Sequence, residues 1–238
     1  MVEDYQPFAE DFARGLAVVA HPDDLEYGGA AAIARWTAQG CEIAYLLACR
    51  GEAGIDTLPP AECGPLREAE QRAAAAEVGV DVVEFLDHPD GLISYGIPLR
   101  RDIAAAIRRH RPEVVITSNH HPTFPGGHLN MADHRAVGQA AIDAVRDAAN
   151  RWLFPEVGEP WSGVRQVLVL ASPSSGHAVD VEESFDRGVA SLRAHKAYLE
   201  ALGGPMGDPE AFLREHAEEA ATRLPGARLA TAFEVIVT

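Results

Sequence analysis

The sequence predicts an α/β fold in which helices cover both faces of a mostly parallel sheet, built as one domain over residues 1–238. Several short apolar runs are nearly continuous rather than alternating, which is typical of strands that are covered on both faces. Alanine-rich helical segments separate these runs, and each connection is long enough for a right-handed crossover. We find no internal repeat, low-complexity tract or linker that would divide the chain.

The predicted strands and helices alternate along the chain. The strands are residues 15–20, 41–48, 81–86, 113–118 and 164–172, with a closing strand over 231–238. The helices are residues 28–39, 65–78, 98–110 and 131–148, with a further helix over 181–202. Because strand–helix–strand repeats make successive strands parallel, their carboxyl ends share one edge of the sheet, where ligands of open α/β sheets bind.

The composition excludes several classes of function. The chain has 20 basic and 36 acidic residues and a formal net charge of −16, so its surface repels nucleic-acid phosphates and anionic lipids. No apolar run approaches the roughly 20 residues of a membrane span. The acidic N-terminus is unlike a signal peptide. We therefore expect a cytoplasmic protein with a small-molecule partner, and the sequence leaves a homo-oligomer open.

The three cysteines predict no special chemistry. Cys41, Cys49 and Cys63 are odd in number and contain no C-x-x-C pair, which disfavours both a disulfide framework and a thiolate zinc site. Cys41 and Cys49 lie in or beside an apolar stretch, so we interpret them as small core residues.

Metal-type ligands follow the first and fourth predicted strands. His21 and Asp24 lie three residues apart in a strand-to-helix turn, and His134 begins the helix after the fourth strand. Imidazole and carboxylate are good ligands for zinc or a similar divalent metal. Asp23 would then be free to accept a proton from the attacking water. Asp133 could orient an imidazole from behind, and we count it with Asp23 among the catalytic residues.

Ordinary structural roles compete with this interpretation. Asp24 and Asp133 each lie at the start of a predicted helix, where a carboxylate caps free N–H groups. A lone histidine is also more often structural than ligating. Three ligand-type residues converge on one sheet edge, and the sequence pattern therefore supports a metal site about as well as it supports these structural roles.

Four motifs in order resemble the LmbE/PIG-L family of zinc-dependent N-deacetylases. They are AHPDDLE after the first strand, RGEAG after the second, R-x-x-E at Arg67 leading to VGV, and DHRAVG later. The resemblance covers most of the chain. It implies a Rossmann-like three-layer fold and a zinc ion, or another divalent metal such as Fe²⁺, on the two histidines and Asp24 named above. It also implies that Asp23 is the general base.

The resemblance implies substrate contacts more loosely. Arg67 matches an arginine that contacts substrate, and Asp90 matches an acidic residue near sugar hydroxyls. Arg67 could instead form a helix-surface ion pair with Glu70. Glu52 could contact substrate or bind loop amides, and His128 is a further candidate for substrate binding.

The sequence departs from the family pattern in two places. Met131 stands where many members carry a histidine that acts as a general acid or stabilises the oxyanion, and methionine can donate neither a proton nor a useful hydrogen bond. His120, His121 and His128 lie in the same loop and could substitute, or they could be ordinary exposed histidines. The late segment AHKAYL matches a family signature only at His195.

The resemblance therefore implies a metal-dependent hydrolase that removes an acetyl or other acyl group from the amine of a small sugar-containing metabolite or natural-product intermediate. A binding or regulatory homologue that has lost catalysis is the main alternative. Met131 favours that alternative, whereas the intact Asp23 opposes it. A metal phosphohydrolase is a weaker alternative, because His-Asp doublets of that kind usually occur in helical folds.

Overall fold

Helices cover both faces of an eight-stranded mixed sheet in the computed structural model, which describes residues 3–238. The strands are β1 (Gln6–Pro7), β2 (Arg14–Val19), β3 (Glu42–Leu47), β4 (Val82–Phe85), β5 (Val114–Ser118), β6 (Gln166–Leu170), β7 (His177–Asp180) and β8 (Ala230–Val237). Their order is β1-β7-β8-β6-β5-β2-β3-β4. Within this range β8 runs antiparallel to β6 and β7, and the other neighbours run parallel. The predicted α/β class with a mostly parallel sheet is confirmed.

Two apolar layers hold the helices against the sheet. The helices are α1 (Ala30–Ala38), α2 (Pro60–Glu77), α3 (Ile97–His110), α4 (Ala132–Ala149), α5 (Phe185–Arg193), α6 (Lys196–Leu202) and α7 (Pro209–Ala221). One layer buries Trp36 of α1 with Phe185 of α5, and the other buries Ile103 of α3 with Val137 of α4. Because both faces are covered, the central strands carry the continuous apolar runs seen in the sequence. Over residues 3–238, no helix combines the length and hydropathy that a bilayer crossing demands.

Several elements differ from the sequence prediction. α2 begins at Pro60 rather than at residue 65, and it accommodates Pro65 inside the helix. The helix predicted over 181–202 is divided into α5 and α6, because His195 adopts non-helical angles and is fully buried. β1, β7 and α7 were not predicted. The two strands are too short for a periodic signal, but Asp208 caps α7 and could have revealed it.

The strand order creates a crevice at the centre of the sheet. β2 lies between β3 and β5. From β2 the chain continues outward on one side through β3 and β4, and it later continues on the other side through β5 and β6. The carboxyl ends of β2 and β5 therefore flank the topological switch point, where α/β sheets bind ligands.

Gly138 allows α4 to approach the end of β5. A Cβ at this position would lie 2.5 Å from the backbone oxygen of Ser118. We expect Gly138→Ala to lower the free energy of unfolding by about 1–3 kcal/mol, as overpacked cores do. Helix propensity alone would raise stability by about 1 kcal/mol, so a loss would report the clash. Urea unfolding measures the change, and Gly176→Ala, where nothing lies within 4 Å, should shift stability by less than about 0.5 kcal/mol.

Candidate active site

Two imidazoles and one carboxylate meet at the switch point. One ligand atom from each of His21, Asp24 and His134 lies within 4.8 Å of the other two. Oδ1 of Asp24 is 3.0 Å from Nε2 of His134 and 3.6 Å from Nδ1 of His21. The three side chains are between 5% and 13% exposed. Two nitrogens and one oxygen in a sheltered position are a donor set that suits zinc-type divalent metals.

The turn after β2 orients the Asp24 carboxylate. Its Oδ2 accepts the backbone N–H groups of Ala20 at 3.0 Å and His21 at 2.9 Å, which directs Oδ1 toward the imidazoles. α1 begins six residues later at Ala30, and its cap residue is Gly29, with no side-chain cap hydrogen bond from the part of the chain that the structure describes. The alternative that Asp24 caps this helix is therefore wrong.

Asp133 and Asp90 hold His21 from the other side. Nε2 of His21 is 3.1 Å from Oδ2 of Asp133 and 3.2 Å from Oδ1 of Asp90. Asp133 itself accepts the backbone N–H groups of Gly91 at 2.7 Å and Ile93 at 3.1 Å. Its carboxylate therefore does not cap α4, contrary to the structural alternative. With Nε2–H donating to carboxylates, Nδ1 of His21 is left to face Asp24.

His134 depends on Asn130, which sequence reasoning missed. Oδ1 of Asn130 is 3.1 Å from Nδ1 of His134, while Nδ2 of Asn130 donates to the carbonyls of Asn119 at 2.6 Å and His121 at 2.9 Å. This arrangement leaves Nε2 of His134 free to face Asp24. The spacing of four residues between Asn130 and His134 is the one sequence signal that could have indicated the pair.

Asp23 is held in a strained backbone conformation beside Arg67. Its φ is 83°, in the left-handed region that non-glycine residues rarely adopt. Its N–H donates to Oε1 of Gln71 at 2.9 Å, and Arg67 donates to its Oδ2 at 2.8 Å. The same guanidinium also donates to the carbonyls of Pro22 and Gly51. These contacts fix the carboxylate next to its ligand-type neighbour Asp24.

Arg67 is not part of a helix-surface ion pair. It is 3% exposed, and its guanidinium carbon lies 4.1 Å from the centroid of the Tyr198 ring. Glu70, its proposed partner, instead accepts the backbone N–H of Ala197 at 2.6 Å. The surface interpretation is therefore wrong, because α6 and the turn after β2 enclose both side chains.

Burial and charge shift the acidity of this cluster. Burial raises the pKa of Asp23 to about 6, although the Arg67 guanidinium opposes the shift, and the Asp24 charge adds to it. Burial alone would raise the pKa of Asp24, but His134 and His21 hold it well below its usual range. Burial alone would also lower the pKa of each imidazole, and the Asp24 carboxylate raises both. The Asp24 charge therefore favours positive charge on both imidazoles, whereas burial favours the protonated form of Asp23.

The loop residues Glu52, Asp90 and Cys49 support the site differently. Glu52 accepts the backbone N–H groups of Arg50 and Asp90, which is the amide-binding role that the sequence left open. Oδ2 of Asp90 accepts the N–H of Ala53 at 2.8 Å. Cys49 lies within 4.8 Å of ligand atoms of His21 and Asp90, but burial raises its pKa to about 12. Its protonated thiol donates to a backbone carbonyl, as expected for a core cysteine.

Within residues 3–238, the side chains of His120, His121 and His128 form no hydrogen bond or ion pair with the metal-type ligands of this cluster. His128 is exposed, and within residues 3–238 its side chain has no hydrogen bond to the cluster. His120 and His121 instead group with Glu234. His195 is fully buried, with Nε2 3.7 Å from Oε2 of Glu26. Met131 is half-exposed at the start of α4.

Known proteins share this sequence pattern and fold. The profile described as PIG-L: GlcNAc-PI de-N-acetylase matches residues 16–145. Over 176 residues the chain is 29% identical to 1D-myo-inositol 2-acetamido-2-deoxy-alpha-D-glucopyranoside deacetylase of Streptomyces avermitilis, which covers 62% of this chain and 58% of that protein. It is 29% identical over 199 residues to diacetylchitobiose deacetylase of Thermococcus kodakarensis, covering 81% and 72% of the two chains.

A solved structure shares the fold over nearly the whole chain. N,N'-diacetylchitobiose deacetylase from Pyrococcus horikoshii matches with a TM-score of 0.84 over 96% of this chain and 85% of that chain, at 21% identity. This similarity concerns the fold. The chain spans less than two thirds of the length of the Streptomyces relative.

Proposed function

This chain belongs to the PIG-L family of GlcNAc-PI de-N-acetylases, and from that premise we propose that it hydrolyses the acyl amide of a small sugar-containing metabolite. The observation that carries the proposal is the convergence of His21, Asp24 and His134. Asp23 lies beside these three residues but is not one of the metal-type ligands. The relatives named above act on N-acetylated sugars, and an acetyl group is the simplest acyl group to expect.

The donor set at the switch point fits a divalent metal, and we assign zinc to it, with Fe²⁺ as the alternative. Nδ1 of His21, Oδ1 of Asp24 and Nε2 of His134 would be the ligands. When bound there, the metal would supply Lewis-acid polarisation of the acyl carbonyl and of water. Asp133, Asp90 and Asn130 keep the two imidazoles in the required orientation.

Asp23 performs the proton transfers in this proposal. As a carboxylate it takes a proton from the attacking water, and as a carboxylic acid it returns a proton to the departing amine. The Arg67 guanidinium holds this carboxyl beside Asp24, where it can take up and release the proton. Because Met131 cannot donate a proton, one carboxyl serves both steps in this proposal.

Arg67 positions Asp23 rather than substrate. Its guanidinium is buried and donates to Asp23 and to two backbone carbonyls, so little of it is free for a ligand. A contact between Arg67 and substrate is therefore not part of this proposal. Asp90 is similarly occupied by His21 and a backbone amide.

His128, on the exposed loop after β5, remains the candidate for a substrate contact. The net charge of −16 favours a diffusible metabolite over an anionic lipid as the substrate.

Asn130 is expected to control metal affinity by orienting His134. We predict that Asn130→Ala weakens metal binding by about 10–100-fold while kcat at saturating metal changes little. Asn130→Asp retains an acceptor for Nδ1–H but loses both donations to the loop, so its affinity should stay near that of the wild type. Competition with a chromogenic chelator measures both. Equal weakening in the two variants would assign the effect to the loop and not to His134.

The reaction class is tested by incubating the zinc-loaded protein with a panel of N-acetylated amino sugars and glycosides and following free amine. The proposal expects turnover of at least one of these compounds. If the metal-loaded protein binds members of the panel without releasing amine, the binding or regulatory alternative favoured by Met131 takes its place. Phosphate release from sugar phosphates would instead indicate a phosphohydrolase.

A further inference from the structure

His120, His121 and Glu234 form a second group of metal-type ligands that shares no residue with the site described above. One ring nitrogen of each histidine and one carboxylate oxygen of Glu234 all lie within 4.8 Å of one another. Nε2 of His121 is 2.8 Å from Oε2 of Glu234, and the two imidazole centroids are 4.2 Å apart. We propose that this group binds a second divalent transition-metal ion of the zinc class.

The histidine side of the group is held by its own loop. The N–H of His121 donates to Oδ1 of Asn119 at 2.8 Å, and its carbonyl accepts from Asn130 at 2.9 Å. α4 lies against His120, because a Cβ on Gly138 would come within 3.0 Å of the His120 Cβ. The backbone that presents the two imidazoles is therefore fixed before any ion arrives.

The glutamate side is also fixed. Glu234 lies on β8, paired with Val169 of β6. Its Oε2 accepts the hydroxyl of Ser172 at 2.6 Å, and the Ser172 hydroxyl in turn accepts the N–H of Ser174 at 3.0 Å. Hydrogen-bonded carboxylates of this kind are usual behind metal ligands, where the outer partner orients the coordinating oxygen.

A simple ion pair explains only part of the group. The contact between His121 and Glu234 would satisfy those two residues. It leaves His120 beside a second imidazole, and its buried Nδ1 has no hydrogen-bond partner among residues 3–238. Two imidazoles and one carboxylate suit zinc, iron or nickel. The side chains of His121 and Glu234 are 27% and 20% exposed, so an ion can enter from solvent.

The ion would connect the loop after β5 to the distant strand β8. His121 and Glu234 are 113 residues apart in the chain. The same loop carries Asn130, which contacts both the His121 carbonyl and His134. A metal ion bound by His120, His121 and Glu234 would therefore stabilise the loop that supports the first site. It would not take part in the reaction itself.

Metal counting on the full chain tests the proposal. Protein stripped with chelator is titrated with Zn²⁺, freed of excess ion, and analysed by inductively coupled plasma mass spectrometry. We expect two ions per chain in the wild type and one each in His120→Ala, His121→Ala and Glu234→Gln. His21→Ala should also retain one ion. The double variant that combines His21→Ala with Glu234→Gln should bind none. Ser172→Ala should lower the affinity for the second ion by about 10-fold.

His128→Ala is the matched control, since it removes a histidine of the same loop and should leave two ions. Circular dichroism checks that each variant is folded. Should His21→Ala fail to fold, folded Glu234→Gln still decides, because an ion count equal to that of the wild type overturns the proposal. Two ions that persist in folded His121→Ala and Glu234→Gln would also overturn it. Since His21→Ala isolates the second group, its outcome is independent of the proposed catalytic site.

Discussion

Asp23→Asn is expected to lower kcat by about 10²–10⁴-fold while the protein keeps its metal. Asparagine preserves the size of the side chain but cannot accept the proton of the attacking water or return one to the amine. The contacts of His21, Asp24 and His134 with one another do not involve Asp23, so metal content should be unchanged. Free-amine release under substrate saturation gives kcat, and metal analysis of the same sample gives the occupancy.

Asp87→Asn is the control for this change, because Asp87 is an exposed carboxylate paired with Arg50. It should leave kcat near the wild-type value. Retention of more than about a tenth of the wild-type kcat by Asp23→Asn would contradict the role of Asp23. Loss of metal together with activity would instead make Asp23 a support of the metal site.

His134→Ala is expected to lose both the ion at the first site and the activity, with kcat/KM falling by about 10³-fold or more. Its imidazole would be one of three ligands, and two remaining ligands hold a zinc-type ion poorly. Metal analysis is best done in a Glu234→Gln background, so that ions at the second group do not obscure the count. His128→Ala, in the same loop, should retain the ion.

Imidazole added to the medium offers a direct check of the His134 result. Truncation leaves a space beside Asp24 that free imidazole can fill, and a partial return of bound metal would assign the loss to the missing ligand. A folded His134→Ala protein that keeps its ion and at least half of the wild-type kcat/KM would contradict the assignment.

The principal site residues could be predicted because they follow the carboxyl ends of parallel strands. His21 and Asp24 follow the continuous apolar run of β2, and His134 lies after β5, so the rule for parallel sheets brings them to one edge. The structure brings these three residues together. Their roles as metal ligands, and that of Asp23 as the proton carrier, stay predictions.

The supporting contacts could not be predicted from the sequence, because they depend on how distant elements pack. Gln71 and Arg67 lie one helical turn apart on α2 and both reach Asp23, which no local pattern specifies. His195 ends α5 because its imidazole is buried beside Glu26, so tertiary packing overrides the helical periodicity of residues 181–202. Glu70 likewise contacts α6 rather than forming the ion pair with Arg67 that was the structural alternative.

The most direct test of the central claim is to measure amide hydrolysis as a function of metal returned to stripped protein. A Glu234→Gln background limits binding to the site at His21, Asp24 and His134. We expect no amine release from the stripped protein and a rate of release that rises with added zinc until one ion is bound per chain. Full activity of the stripped protein, or no amide hydrolysis across the N-acetylated sugar panel at full occupancy, would contradict it.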